Sequence, residues 1–140
     1  MNTKIDDVKE LIVDMSENAD MKWLFDTHTI KVAEKAEWLL KKLPEANRDV
    51  VMLSVWLHDI YYLIDMSREE EHAALGADEA VKILKEKGFS NEVVKGVEHA
   101  IRAHSCKNVK PETVEAKILA TADAMSHFTP EFYLSIAMFG

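Results

Sequence analysis

From Val50 to Ile64 the chain reads Val-Val-Met-Leu-Ser-Val-Trp-Leu-His-Asp-Ile-Tyr-Tyr-Leu-Ile, apolar at nearly every position. A helix that is apolar all round is buried on all sides, so this stretch predicts a central helix surrounded by others. Its middle nevertheless carries the pair His58-Asp59. An ionised carboxylate is costly in such surroundings unless it is paired, hydrogen-bonded or bound to a metal. The run is short for a membrane span, which leaves burial within protein.

The rest of the chain supplies the surrounding helices. Only 4 Gly and 3 Pro occur in 140 residues, which favours long helices over a strand-and-turn fold. Ile5, Val8, Ile12 and Met15 recur at helical spacing. Asp26-Thr27 are good N-cap types for a helix ending before Pro44. Its apolar face holds Val32, Ala36, Leu39 and Leu43, with His28 one turn before Val32. A helix from about Glu69 to Lys87 closes on Gly88; Ala73, Ala77, Ala80 and Leu84 form one stripe, and His72 shares the neighbouring face. Ser90 caps a helix ending near His104. Its apolar side, Val93, Val97, Ala100 and Ile101, includes His104 and leaves His99 on a polar side. Pro111 fits the first turn of a further helix, on which Ala116, Leu119 and Ala120 line up with Asp123. These patterns predict a single all-α domain over residues 1–140, a bundle of about six or seven helices. The last residues, Ser-Ile-Ala-Met-Phe-Gly, have just entered helical rhythm. Either the final helix is short or the chain is truncated there, and this apolar end could pair with a second copy as a homodimer.

The formal net charge of -8, with no basic block, argues against holding a nucleic-acid duplex through its phosphates. A small phosphate ester stays compatible if a metal supplies local positive charge. Cys106 is the single cysteine, and Met-Asn-Thr-Lys-Ile-Asp-Asp at the N-terminus has no apolar signal core. A soluble cytoplasmic protein with no membrane partner is expected.

Six polar residues fall near the apolar sides of different helices: His28, His58, Asp59, His72, His104 and Asp123. Imidazole and carboxylate together suit divalent Mn, Fe, Co, Ni or Zn. The set contains no cysteine, which points to an open, water-bearing site rather than a structural zinc clip. One inward histidine alone is more often a hydrogen-bonded core residue; the coincidence of six carries the metal reading. Outside the set, His99 reads as a solvated surface residue, Cys106 as inert, and His127, four residues after Asp123, as a supporting one.

The ordered set His28, His58-Asp59 and Asp123 resembles the signature of the HD superfamily of metal-dependent phosphohydrolases. The contexts Leu-His-Asp-Ile, Glu-His-Ala-Ala-Leu-Gly-Ala, Ala-Ile-Arg-Ala-His-Ser and Ala-Lys-Ile-Leu-Ala-Thr-Ala-Asp-Ala are similar to segments of small stand-alone members, over about His28 to His127. The resemblance implies an all-α bundle in which His28, His58, Asp59 and Asp123 hold one divalent ion (Mn, Fe, Co, Ni, Zn or Mg). In two-metal members extra histidines bind a second ion and the Asp of the pair bridges both; His72 and His104 match those positions. It further implies hydrolysis of a nucleotide or other small phosphate ester by a metal-activated water, with Asp59, His72 and His104 nearest the chemistry. The alternative is a non-catalytic HD domain that binds metal or nucleotide as a sensor or interaction module. A di-iron carboxylate bundle would need a second Glu-x-x-His beside Glu69-x-x-His72, and none occurs. One departure stands out: many members continue the pair as His-Asp-Ile-Gly-Lys, whereas this chain has Tyr62 at the lysine position. Arg68, Arg102 or Lys107 then supplies the phosphate-binding charge, or the substrate differs.

Overall fold

Every regular element among the described residues of this computed structural model, 3–65 and 71–127, is helical. In chain order they are α1 (Thr3–Asn18), α2 (Lys22–Leu24), a π turn (Phe25–Thr29), α3 (Ile30–Lys42), α4 (Arg48–Leu57), α5 (Ile60–Ile64), α6 (His72–Glu86), α7 (Asn91–Ala103) and α8 (Val114–Ser126). The all-helical bundle expected from the sequence is the architecture observed. Helix α4 forms its axis. Every residue from Val50 to Leu57 is buried, and α1, α3, α6, α7 and α8 all pack against it. Asn47 caps the helix by accepting the Val50 N–H on its side-chain oxygen. Leu53, Leu57, Ile101, Ile118 and Leu119 are among the largest fully buried side chains, each stabilising the fold by about 1.5–3 kcal/mol through removal from water.

Local signals placed several ends correctly. Ser90 caps α7 by accepting the Val93 N–H at 3.3 Å. Gly88 follows α6 with φ +81°, a left-handed conformation that glycine adopts without side-chain strain. There the Phe89 N–H reaches the Leu84 carbonyl and the Gly88 N–H reaches that of Lys85, the paired closure of a Schellman end.

Three expectations are corrected. The run Val50–Ile64 is two helices, because the chain breaks at His58-Asp59, where Asp59 takes φ −108° and ψ 17°. The His58 ring bonds the Val55 carbonyl there, giving the backbone a local side-chain alternative to the helical ladder. The next correction is that Asp26 and Thr27 cap nothing. The rod starts at Lys22; Asp26 pairs with Lys22 at 3.1 Å and the Thr27 hydroxyl donates to the Trp23 carbonyl, so both side chains are satisfied inside the π turn. Finally, Pro111 precedes α8 rather than opening it, and Thr113 is the cap, accepting the Ala116 N–H. Arg68, Glu69 and the apolar end after Pro130 lie outside the described residues. No helix among the described residues is long and apolar enough to cross a membrane.

Candidate metal centre

All six sequence-predicted residues meet at the end of the bundle where α4 gives way to α5. The π turn brings His28, the α4–α5 break brings His58 and Asp59, and α8 brings Asp123. A π turn, which is frequent at functional sites, places His28 in the cluster. His28 Nε2 lies 2.9 Å from Asp123 Oδ1 and 3.3 Å from Asp59 Oδ2. His58 Nε2 lies 3.2 Å from Asp59 Oδ2, 3.6 Å from Asp123 Oδ1 and 3.4 Å from His28 Nε2. Both imidazoles are buried.

The ring protons follow from the partners on the far side. A carbonyl can only accept, so His58 Nδ1–H donates to Val55 at 2.7 Å. The Ser126 hydroxyl donates to the Asp123 carbonyl at 2.7 Å, so it accepts from His28 Nδ1–H at 3.0 Å. In the neutral rings Nε2 of both histidines is therefore a lone pair, aimed at the two carboxylates. Four acceptor atoms converging without a donor among them call for a cation. Ligands about 2.1 Å from one ion sit roughly 3.0–3.4 Å from their neighbours at octahedral or tetrahedral angles. Four of the five observed spacings, 2.9–3.4 Å, fit that frame, and His58 to Asp123 at 3.6 Å lies just beyond it, so the residues present suit a divalent metal.

A second group adjoins the first. Nε2 of His72 and Nε2 of His104 are 3.3 Å apart, and they lie 3.9 Å and 4.0 Å from Asp59 Oδ1. Asp59 thus turns Oδ2 to the first histidine pair and Oδ1 to the second. His104 Nδ1–H donates to the Ile101 carbonyl at 2.5 Å, again leaving Nε2 as the inward lone pair. Asp59, His72 and His104 form a possible metal-holding group, as do His28, His58 and Asp59.

The electrostatics agree with a cation-seeking centre. Burial works against charge on His28 and His58, yet Asp123 and Asp59 outweigh it, raising His28 and holding His58 well above the usual histidine range. Burial also opposes charge on the carboxylates, but His58 and His28 hold Asp59 well below its ordinary value and His28 and His58 lower Asp123. His104 is pushed down, first by burial and then by the charge on His58. In this arrangement protons on His28 and His58 and a metal ion compete for the same lone pairs.

Two neighbours carry more than the sequence assigned. Ser126 fixes the His28 ring, and nothing in the local sequence signals that role. His127, read as supporting, has its ring 5.1 Å from His28 and Nε2 3.7 Å from Asp123 Oδ1; with His28 and Asp123 it forms a third possible metal-holding group. His99 stands apart, its Nε2 accepting the Glu112 N–H at 3.0 Å and so tethering the loop before α8. Tyr62 stacks on His72 with ring centroids 4.6 Å apart. Beside them opens a cleft of about 340 Å³ bordered by Tyr62, His72, Arg102, Ser105 and Lys107.

A family model described as HD domain matches residues 25–127. The chain is 37% identical over 103 residues to ribonuclease Y of Rubrobacter xylanophilus and 35% identical to that of Desulforudis audaxviator, covering 74% of this chain and 18% of each relative. It thus spans less than a fifth of the length of the curated relatives it matches. A crystal structure of a predicted HD superfamily hydrolase from an uncultured Thermotogales bacterium superposes with a TM-score of 0.72 at 23% identity, over 93% of this chain and 74% of that one.

Proposed function

Because the chain belongs to the HD domain family, we propose that it is a metal-dependent phosphohydrolase acting on a nucleotide or another small phosphate ester. The observation that carries the proposal is the division of Asp59 between two histidine pairs, Oδ2 toward His28 and His58 and Oδ1 toward His72 and His104. His28, His58, Asp59 and Asp123 would hold one divalent ion, and His72 and His104, with Asp59, a second ion or a phosphoryl oxygen. A divalent ion in such a site supplies Lewis acidity, lowering the pKa of nearby water toward neutrality and polarising the phosphoryl group. The protein's part is orientation: Val55, Ser126 and Ile101 fix the rings of His58, His28 and His104 through their Nδ1 protons.

The test is a product screen with Mn²⁺-supplemented protein across nucleotides, sugar phosphates and a short single-stranded RNA, the last because the ribonuclease Y relatives are named for action on RNA. Metal-dependent turnover of at least one phosphate ester, lost in Asp59→Ala, is expected. Full turnover by Asp59→Ala overturns the proposal. Wild-type protein that binds metal and nucleotide without releasing product favours the sensor reading instead.

A further inference from the structure

The cleft beside His72 poses a question of charge. Tyr62 stands three residues after Asp59, and its ring is stacked on His72 with Oη 3.5 Å from Nδ1. It positions an imidazole and brings no positive charge. Two cations border the same cleft, Arg102 and Lys107, alongside the carboxylate of Glu71. The Arg102 guanidinium is engaged by Asp78 and, at 3.1 Å, by Glu98. Lys107 is exposed and forms no hydrogen bond or ion pair among the described residues. Its place is set by the end of α7: the Cys106 N–H returns to the Ala103 carbonyl at 3.0 Å and Cys106 adopts φ +58°, turning the chain sharply after His104. The tether from Glu112 to His99 holds the far end of the same loop. Lys107 is thus carried three residues beyond His104 and borders the cleft that His72 also lines. Ser105 and Asn108 add hydrogen-bonding groups to that wall. A cleft of about 340 Å³ falls in the size range of small-ligand sites.

We propose that Lys107 recognises a second phosphoryl group of the substrate, seated in the cleft beside His72 while the scissile group lies at the metal centre. The inference rests on the phosphohydrolase reading and specifies its substrate class: small molecules bearing two phosphoryl groups, preferred over those bearing one. Of the six clustered residues only His72 borders the cleft, so a distinct cation for the remote phosphate is the element that turns two phosphates into tighter binding.

Alkane bisphosphonates of increasing chain length, each compared with its monophosphonate, test this by calorimetric titration of the Mn²⁺-loaded protein. Their carbon–phosphorus bonds resist hydrolysis, so binding is read without turnover. At one chain length the bisphosphonate should bind about tenfold tighter, the order of one charge-assisted contact. Lys107→Ala should bring that ratio close to one, Lys107→Glu should invert it, and Lys107→Arg should retain it. A bisphosphonate preference that survives in Lys107→Ala, or no preference at any length in the wild type, overturns the inference. A Lys107-dependent preference in a protein that hydrolyses nothing would leave the Lys107 phosphate contact standing and remove the hydrolase reading, and with it the scissile group at the metal centre.

Discussion

Nε2 of His72 faces Nε2 of His104 at 3.3 Å, with Oδ1 of Asp59 beside both. His104 holds its own proton on Nδ1, toward Ile101, so His72 must bring the proton shared between the rings or both must turn their lone pairs to a common cation. Metal uptake at this pair therefore requires His72 to carry its proton on Nδ1, as His104 does, whereas His28 and His58 compete for their protons outright. Titrating Mn²⁺ into metal-free protein in buffers of different ionisation enthalpy should show proton release, and affinity should rise with pH as the raised His28 and His58 lose their protons. Uptake independent of pH would contradict the competition.

Stability without metal should follow the same groups. His28 and His58 have raised values, so their contribution is fully present below the ordinary histidine value of about 6.5 and is lost as pH rises through the folded values. Asp59 and Asp123 are lowered, so theirs is present above an ordinary value of about 3.9 and is lost only as pH falls through the folded values. The Tm of EDTA-treated protein should decline from pH 6.5 upward, whereas that of Mn²⁺-loaded protein should hold. Parallel profiles for the two forms would argue against a shared site.

Ser126→Ala removes the acceptor that orients His28 through Nδ1. Partners of this kind typically change metal affinity by about 10–100-fold, and a loss of about that size is expected, with the all-helical circular dichroism preserved. His99→Ala serves as the contrast. It should leave metal affinity near wild type, since the His99 ring bonds the backbone of Glu112.

That contrast shows how far the sequence could be read. Spacing alone put His104 on the apolar face of its helix and His99 on the polar one, and the structure places His104 in the cluster and has the His99 ring, on α7, bond the backbone of the loop before α8. Helical periodicity and the caps at Ser90 and Gly88 are local, so they were legible. The break at His58 and the π turn around His28 were not. The break coincides with a bond from the His58 ring to the Val55 carbonyl, and the π turn meets partners contributed by α8. Ser126 reaches His28 across 98 positions of sequence, a distance over which a single chain carries no readable pattern.

Packing of α7 on α4 supplies a stability test away from the site. A Cβ at Gly96 would lie 3.0 Å and 3.2 Å from the two methyls of Val50, closer than side chains normally approach. Gly96→Leu should destabilise the fold by about 1–3 kcal/mol through overpacking, read as a lower urea midpoint, and adding Val50→Ala should recover part of that loss. Equal stability of Gly96→Leu and wild type would contradict the observed contact.

The central claim is that imidazoles and carboxylates from separate helices converge because a divalent cation neutralises them. Elemental analysis of protein purified without added metal, dialysed against metal-free buffer and repeated on Asp59→Ala, tests it most directly. One to two equivalents of a divalent transition metal per chain, with a substoichiometric residue in Asp59→Ala, is the predicted result. Wild-type protein that retains no metal and takes up none on Mn²⁺, Fe²⁺ or Zn²⁺ titration would contradict it.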